Sequence, residues 1–201
     1  MYELRVRLTF IEEILGSANA NPDIHGEFIA SKAPDAPSRQ EEIEALGVEE
    51  VEKKEMTVFP RLEDGRPFLW DYQMRGMFKN AAKAMNYVGG DHKLPAYKSK
   101  IDNLVFIKER KIPYEIPEGK GIGNCQRPLR ASTAQGERIA LANSETIPEG
   151  TEVEFTIKLL DDKLLKHVIE WLDYGEWNGL GQWHNSGKGR FTWKEIERVK
   201  K

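Results

Sequence analysis

The chain has a single cysteine, Cys125, among 201 residues. One thiol cannot close an internal disulfide, which excludes a cross-linked secreted scaffold and any multi-cysteine zinc site and fits a reducing compartment. Long apolar runs are missing as well: nothing approaches the ~18 consecutive apolar residues of a membrane span. The opening stretch, MYELRVRLTF, alternates instead of placing an apolar run after a basic one, so it reads as a strand and not as a secretion signal. The expectation is a soluble, cytoplasmic protein with no membrane partner. Internal repeats and low-complexity tracts are absent. So are the G-x-x-x-x-G-K-[ST], H-E-x-x-H, Cys–His, Ser-His-Asp and EF-hand patterns, which leaves no ground for a cofactor or a metal.

Net charge is small too, at −3, but it is unevenly distributed. Residues 41–55 hold seven of the 33 acidic residues and only two of the 30 basic ones, so the rest of the chain is mildly basic. Residues 92–130 carry nine Lys/Arg against four acids, and 177–201 carry six against two. One acidic segment and two basic ones read either as solvated faces or as surfaces for charged partners. A chain of this length buries roughly 70% of its unfolded surface without staples and is expected to form one domain, 1–201.

The hydrophobic periodicity predicts the elements. Leu4, Val6, Leu8 and Phe10 alternate with polar residues over Tyr2–Phe10, as do Val153, Phe155, Ile157 and Leu159 over Glu152–Leu160; both read as half-buried strands. Residues 16–38 are rich in Gly, Pro, Ala and Asn, too long for a plain connection. An acidic helix follows over 39–55, and Met56–Leu62 reads as a short strand. Met74, Met77, Phe78, Ala81, Ala82 and Met85 recur at helical spacing after Asp71, a plausible N-cap, and Gly89-Gly90 ends that helix. Gly76 within it suggests a close neighbour. Asp102–Lys108 reads as a strand, and Gln126–Ser132 with Arg138–Ala142 as a hairpin. Asp161 or Asp162 caps a helix to about Tyr174, and a last strand runs from Arg190 to Ile196. The order, strand–helix–strand(s)–strand–helix–strand, is the βαββαβ unit of an α+β, ferredoxin-like (RRM-like) fold, whose antiparallel sheet carries both helices on one face. The RNA-recognition motif holds single-stranded RNA on the other.

The densest stretch is GLGQWHNSGKGRFTW, residues 179–193, between the second helix and the last strand. Closely spaced glycines (Gly181, Gly187, Gly189) let a backbone approach a phosphate, Lys188 and Arg190 supply counter-charge, and Trp183 and His184 can stack on a base. The alternative is a turn whose tryptophans cover the core. Arg75, Lys79 and Lys83 recur every four residues, as a phosphate track or a solvated helix face; Arg127 and Arg130 flank a strand in the basic middle region. His25 and Asp23 lie in the long loop, where a histidine near its ordinary pKa suits acid–base work.

The run SETIPEGTEVEFTIKLLDDKLLKHVIEWLDYGEWNGLGQWHNSGKGRF resembles the C-terminal half of the RAMP superfamily, the repeat-associated proteins of CRISPR systems. GLGQWHNSGKGRF is similar to that family's glycine-rich loop. LTFIEEILGS resembles its first strand, and PFLWDYQMRGMFKNA sits where its "yIPGSSLKGalR" segment opens a helix. The layout is most similar to the backbone subunit that polymerises along CRISPR RNA, with 16–62 in place of its thumb. The resemblance implies a non-catalytic ribonucleoprotein subunit, with single-stranded RNA (CRISPR RNA), other subunits of the complex and further copies of itself as partners. It also implies two alternatives: a RAMP endoribonuclease using His25, or Asp23 where type III backbone subunits carry an acidic residue; and a diverged or virus-encoded protein that occupies or inhibits a CRISPR complex, its acidic 41–55 segment mimicking a nucleic acid.

Overall fold

A computed structural model describes residues 1–19, 56–133 and 136–201, and the side chains among these outside 128–141. In chain order the described strands and helices are β1 (Tyr2–Phe10), β2 (Ile14–Leu15), β3 (Ala18–Asn19), β4 (Thr57–Val58), β5 (Phe68–Trp70), α1 (Asp71–Val88), α2 (Tyr97–Leu104), β6 (Val105–Ile107), β7 (Lys111–Pro113), β8 (Gly123–Thr133), β9 (Gly136–Ile147), β10 (Glu152–Leu159), α3 (Leu164–Asn178) and β11 (Phe191–Lys200). They make a mixed α+β protein of two compact units: Met1–Ile14 with Pro60–Gly121 and Ile147–Lys201, and Leu15–Phe59 with Ile122–Thr146.

The first unit is built on a four-stranded sheet in the order β11-β1-β10-β6, antiparallel throughout. Alternation along β1 buries Leu4, Val6, Leu8 and Phe10 completely, and the facing residues of β10 (Val153, Phe155, Ile157, Leu159) are buried to the same degree. Helices α1 and α3 pack on this apolar face. Met74, Met77, Phe78, Ala81 and Ala82 form the buried stripe of α1, and Leu164, Val168, Trp171 and Leu172 that of α3. The Phe78 and Trp171 rings meet at 5.8 Å. A two-stranded pair, β5 with β7, sets Trp70 opposite Lys111.

In the second unit the β8–β9 hairpin pairs without a break from Gly123↔Thr146 to Thr133↔Gly136. Strand β4 joins β9 in parallel at Thr57↔Ser144, where the two hydroxyls lie 2.7 Å apart, and β3 adds antiparallel to β4. The Glu145 carboxylate accepts the Phe59 N–H at 2.9 Å and so fixes the end of β4.

Several local expectations are corrected. Asp71 is not the N-cap of α1: Trp70 takes that place, its N–H donating to Gln73 Oε1 at 3.0 Å, and Asp71 lies buried inside the first turn. The stretch expected to be a strand from Asp102 begins as α2, whose one buried residue, Ile101, gives no helical period to read. Strand β11 runs past Ile196 to Lys200 because its register on β1 skips that one residue as a bulge. Gly76 has no close neighbour, since a Cβ there would meet nothing within 4 Å. The close approach is at Gly175 of α3, where a Cβ would lie 2.6 Å from Phe191 Cζ and 2.7 Å from Met77 Sδ.

The two helical glycines should therefore respond with opposite signs. Gly76→Ala is expected to raise stability by about 1 kcal/mol through helix propensity. Gly175→Ala should lower it by about 1–3 kcal/mol, as overpacking does. Urea unfolding of the two variants beside the parent measures both; equal responses would refute the assignment of the close contact to Gly175.

Candidate nucleic-acid interface

The glycine-rich stretch leaves α3 at Gly179 and returns to the sheet at Gly189, and these two positions close its neck. Gly179 (φ 76°) would place a Cβ 2.5 Å from Lys188 O, and Gly189 (φ 69°) would place one 1.9 Å from Leu180 O. No larger residue fits either site. Leu180 N–H donates to Gly189 O at 2.9 Å, Gly189 N–H to Glu13 O at 2.8 Å, and Gly187 N–H to His184 O at 2.8 Å. The glycines thus serve the loop's own folding first. The N–H groups of Gly187 and Gly189, expected to face a phosphate, are bonded within the chain. Trp183 adopts a left-handed conformation, φ 57°, uncommon outside glycine, ahead of the short turn His184–Ser186.

The loop's side chains are held from below and open above. Lys188 Nζ reaches Glu13 Oε1 at 2.6 Å. Arg190 donates through Nε to Glu176 O and lays its guanidinium 4.8 Å over the Trp177 ring. Of the stretch's two tryptophans Trp183 is 38% exposed and Trp193 half-buried, and Trp177 at the end of α3 is 74% exposed; the fully buried tryptophan is Trp171. Trp177, Trp183, His184, Lys188 and Arg190 are the exposed or half-buried side chains of this loop cluster, with Arg190 on the Trp177 ring.

On α1 the basic stripe divides. Arg75 is paired with Asp71 at 3.0 Å and Lys79 with Asp102 at 2.6 Å, whereas Lys83 is exposed. Arg127 is buried, at 7% exposure. The Arg130 side chain, Asp23, His25 and the acidic 41–55 segment lie outside the described residues. His92 Nδ1 lies 3.1 Å from Glu170 Oε1, and His167 packs against Trp171. Among the described residues no group of three or more His, Cys, Asp or Glu could hold a metal ion, and no helix is long and apolar enough to cross a membrane.

The face of the four-stranded sheet opposite the helices is ionic. Arg5 meets Glu154 at 2.8 Å, Arg7 Nε meets it at 2.7 Å, and Lys201 meets Glu3 at 2.7 Å. Glu109 receives the Thr156 N–H at 2.7 Å and the Thr156 hydroxyl at 3.0 Å, taking the ladder position where β6 no longer pairs with β10. Glu3, Arg5, Glu109, Glu154 and Thr156 line a depression of about 340 Å³ with Lys108, Glu197 and Val199. Hydrogen bonding from Arg7, against a smaller opposing push from burial and with help from Arg5, holds the Glu154 carboxyl below its ordinary range.

Comparison with known structures bears on this arrangement. A chain of the type III-B Cmr-beta complex bound to cognate target RNA, seen by cryo-electron microscopy, superposes with a TM-score of 0.61 at 12% identity over 99% of this chain. The present chain spans 61% of that chain's length. A chain of a type IV-B CRISPR complex matches with a TM-score of 0.50 at 11% identity, over 96% of this chain and 90% of its own. At such identities the likeness is one of fold. No protein-family description and no curated protein matches the sequence.

Residues that sequence reasoning missed sit where β5 meets β7. Trp70, Tyr72, Arg110 and Lys111 converge there, although some 40 positions separate the two halves (Asp71 and Arg110, which bond each other, are 39 apart). No local period links them, so only the strand pairing reveals the group.

Because the Glu154 pKa is lowered on folding, the pair adds stability above the ordinary glutamate value of about 4.3 and loses it as pH falls through the folded pKa. The melting-temperature gap between the parent and Glu154→Gln should be widest near pH 7 and begin to narrow as pH falls below about 4. A gap that stays constant across that range would contradict the pairing.

Proposed function

We propose that the chain is a CRISPR-associated, RAMP-type subunit that contacts single-stranded RNA inside a ribonucleoprotein complex and does no chemistry of its own. The observation that carries this reading is the sheet order β11-β1-β10-β6 with α1 and α3 on one face, which we read as a βαββαβ ferredoxin-like unit, in a chain that superposes over nearly its whole length on chains of two CRISPR complexes. In this reading residues 1–201 form one module carrying 16–62 as its insertion, and CRISPR RNA and neighbouring subunits are its partners.

The RNA contact is assigned to the loop cluster (Trp177, Trp183, His184, Lys188, Arg190) and to Lys83, the exposed member of the α1 stripe. Exposed rings supply stacking surface and the cations supply phosphate contacts. The outer sheet face supports the contact less, because Arg5, Arg7 and Lys201 already face carboxylates of the same chain.

Binding of a fluorescein-labelled single-stranded RNA, titrated from 50 to 200 mM salt, tests the reading. The parent should bind with affinity falling steeply as salt rises. Lys83→Glu should weaken binding across sequences and reduce the slope of log affinity against log salt by about 1. A parent that binds no RNA, or a Lys83→Glu variant with the parental affinity and slope, would overturn the corresponding assignment. Purified protein carrying RNA of discrete length, seen as a raised 260 to 280 nm absorbance ratio, would support the first.

A further inference from the structure

The group at the start of α1 is organised around one buried carboxylate. Asp71, 9% exposed at its side chain, accepts from Arg75 at 3.0 Å and from Arg110, and its own N–H donates to Arg110 O at 3.2 Å. This lock fixes the residues on either side of Asp71. The Trp70 and Tyr72 rings lie nearly parallel, 18° apart with centroids at 6.0 Å, and Phe68 meets Trp70 edge-on at 4.7 Å. The Arg110 guanidinium stands over both rings, 5.2 Å from Trp70 and 5.9 Å from Tyr72. Lys111 Nζ stands 5.3 Å from Phe68 and 5.8 Å from Trp70. The assembly is open to solvent: Tyr72 is 51% exposed, and the Arg110 side chain 63%.

Two features point to the kind of ligand. The rings are held parallel and in place, so a flat group can stack without an ordering cost to the protein. The charge beside them is positive: Asp71 is shared between two guanidiniums, Lys111 adds a further cation, and the next carboxylate along the chain, Glu109, is turned to Thr156. A flat π-system next to an anion describes a nucleotide. Exposed Trp, Tyr and Arg also mark protein interfaces; a nucleotide uses the flat ring faces and the adjacent cations at once.

We propose that Trp70, Tyr72 and Arg110 form a shelf on which one unpaired base of a single-stranded RNA stacks, with Arg110 and Lys111 contacting the adjoining phosphate. The proposal rests on the RNA-binding reading above and adds to it a base contact at a place that reading does not use.

Binding of a labelled oligouridylate and of an abasic ribose–phosphate chain of equal length separates stacking from charge. The parent should prefer the base-bearing chain. Tyr72→Ala should lose on the order of tenfold on oligouridylate and almost nothing on the abasic chain, while Tyr72→Phe keeps the parental preference. Tyr72→Leu, which retains apolar bulk without a π-face, should behave like Tyr72→Ala and guards against a folding defect. Lys111→Gln should weaken both ligands alike. If Tyr72→Ala and Tyr72→Leu bind both chains as the parent does, the shelf is overturned and the RNA reading stands. A parent that binds neither chain overturns both. Variants that bind RNA normally but lose association with a protein partner would make the surface a protein interface and overturn the shelf.

Discussion

The complete burial of Leu4, Val6, Leu8 and Phe10 on one side of β1 is the constraint from which the larger unit follows. With both edges of β1 taken by β10 and β11, a slip of one residue would carry all four side chains to the opposite face. Register is thereby fixed, and with it the outer face: the pairing that sets Val6 beside Phe155 also sets Arg7 beside Glu154. The ion pairs there are consequences of the core. The same core determines how near α3 lies to α1 at Gly175, and so the point at which the glycine loop departs and the direction in which Trp177 and Arg190 leave the surface.

Charge is handled differently on the two sides of this unit. On the outer sheet face, cations and carboxylates alternate across strands and are matched by register, which leaves little field for a polyanion. At the loop and at the start of α1, Arg190 and Arg110 lie over aromatic faces, where attraction comes from the ring quadrupole as well as from the acceptors each also meets. A slightly acidic chain can therefore present locally basic, aromatic surfaces, and net charge is a poor guide to what it binds.

Period-two alternation made β1 and β10 legible, and a strong apolar stripe with a glycine stop did the same for α1. The β8–β9 hairpin showed through its strand-like runs flanking a turn. Helix α2 was not legible because a single buried residue imposes no period, and its first turn follows Ala96 in a left-handed conformation with no capping side chain. Glycine was the residue least legible: Gly76 and Gly175 both lie inside helices, and only the packing partners of the second, Phe191 on a distant strand and Met77 on α1, separate them. The loop's candidate residues were legible as a cluster, but the engagement of its N–H groups within the chain was not. The aromatic–guanidinium group joins segments some 40 residues apart and carries no motif.

The carboxylate of Glu109 on Thr156 has a consequence for assembly. It replaces the backbone on the edge of β10 and ends β6 after three residues, so the sheet offers only a short edge on that side. The other border of the sheet, β11, is lined by Lys194, Glu195, Glu197, Arg198 and Lys200, a poor template for a foreign strand. Growth by sheet continuation is thus discouraged at both borders. If copies of the chain line up side by side, contacts through loops, helices or sheet faces leave each sheet a closed unit within the array.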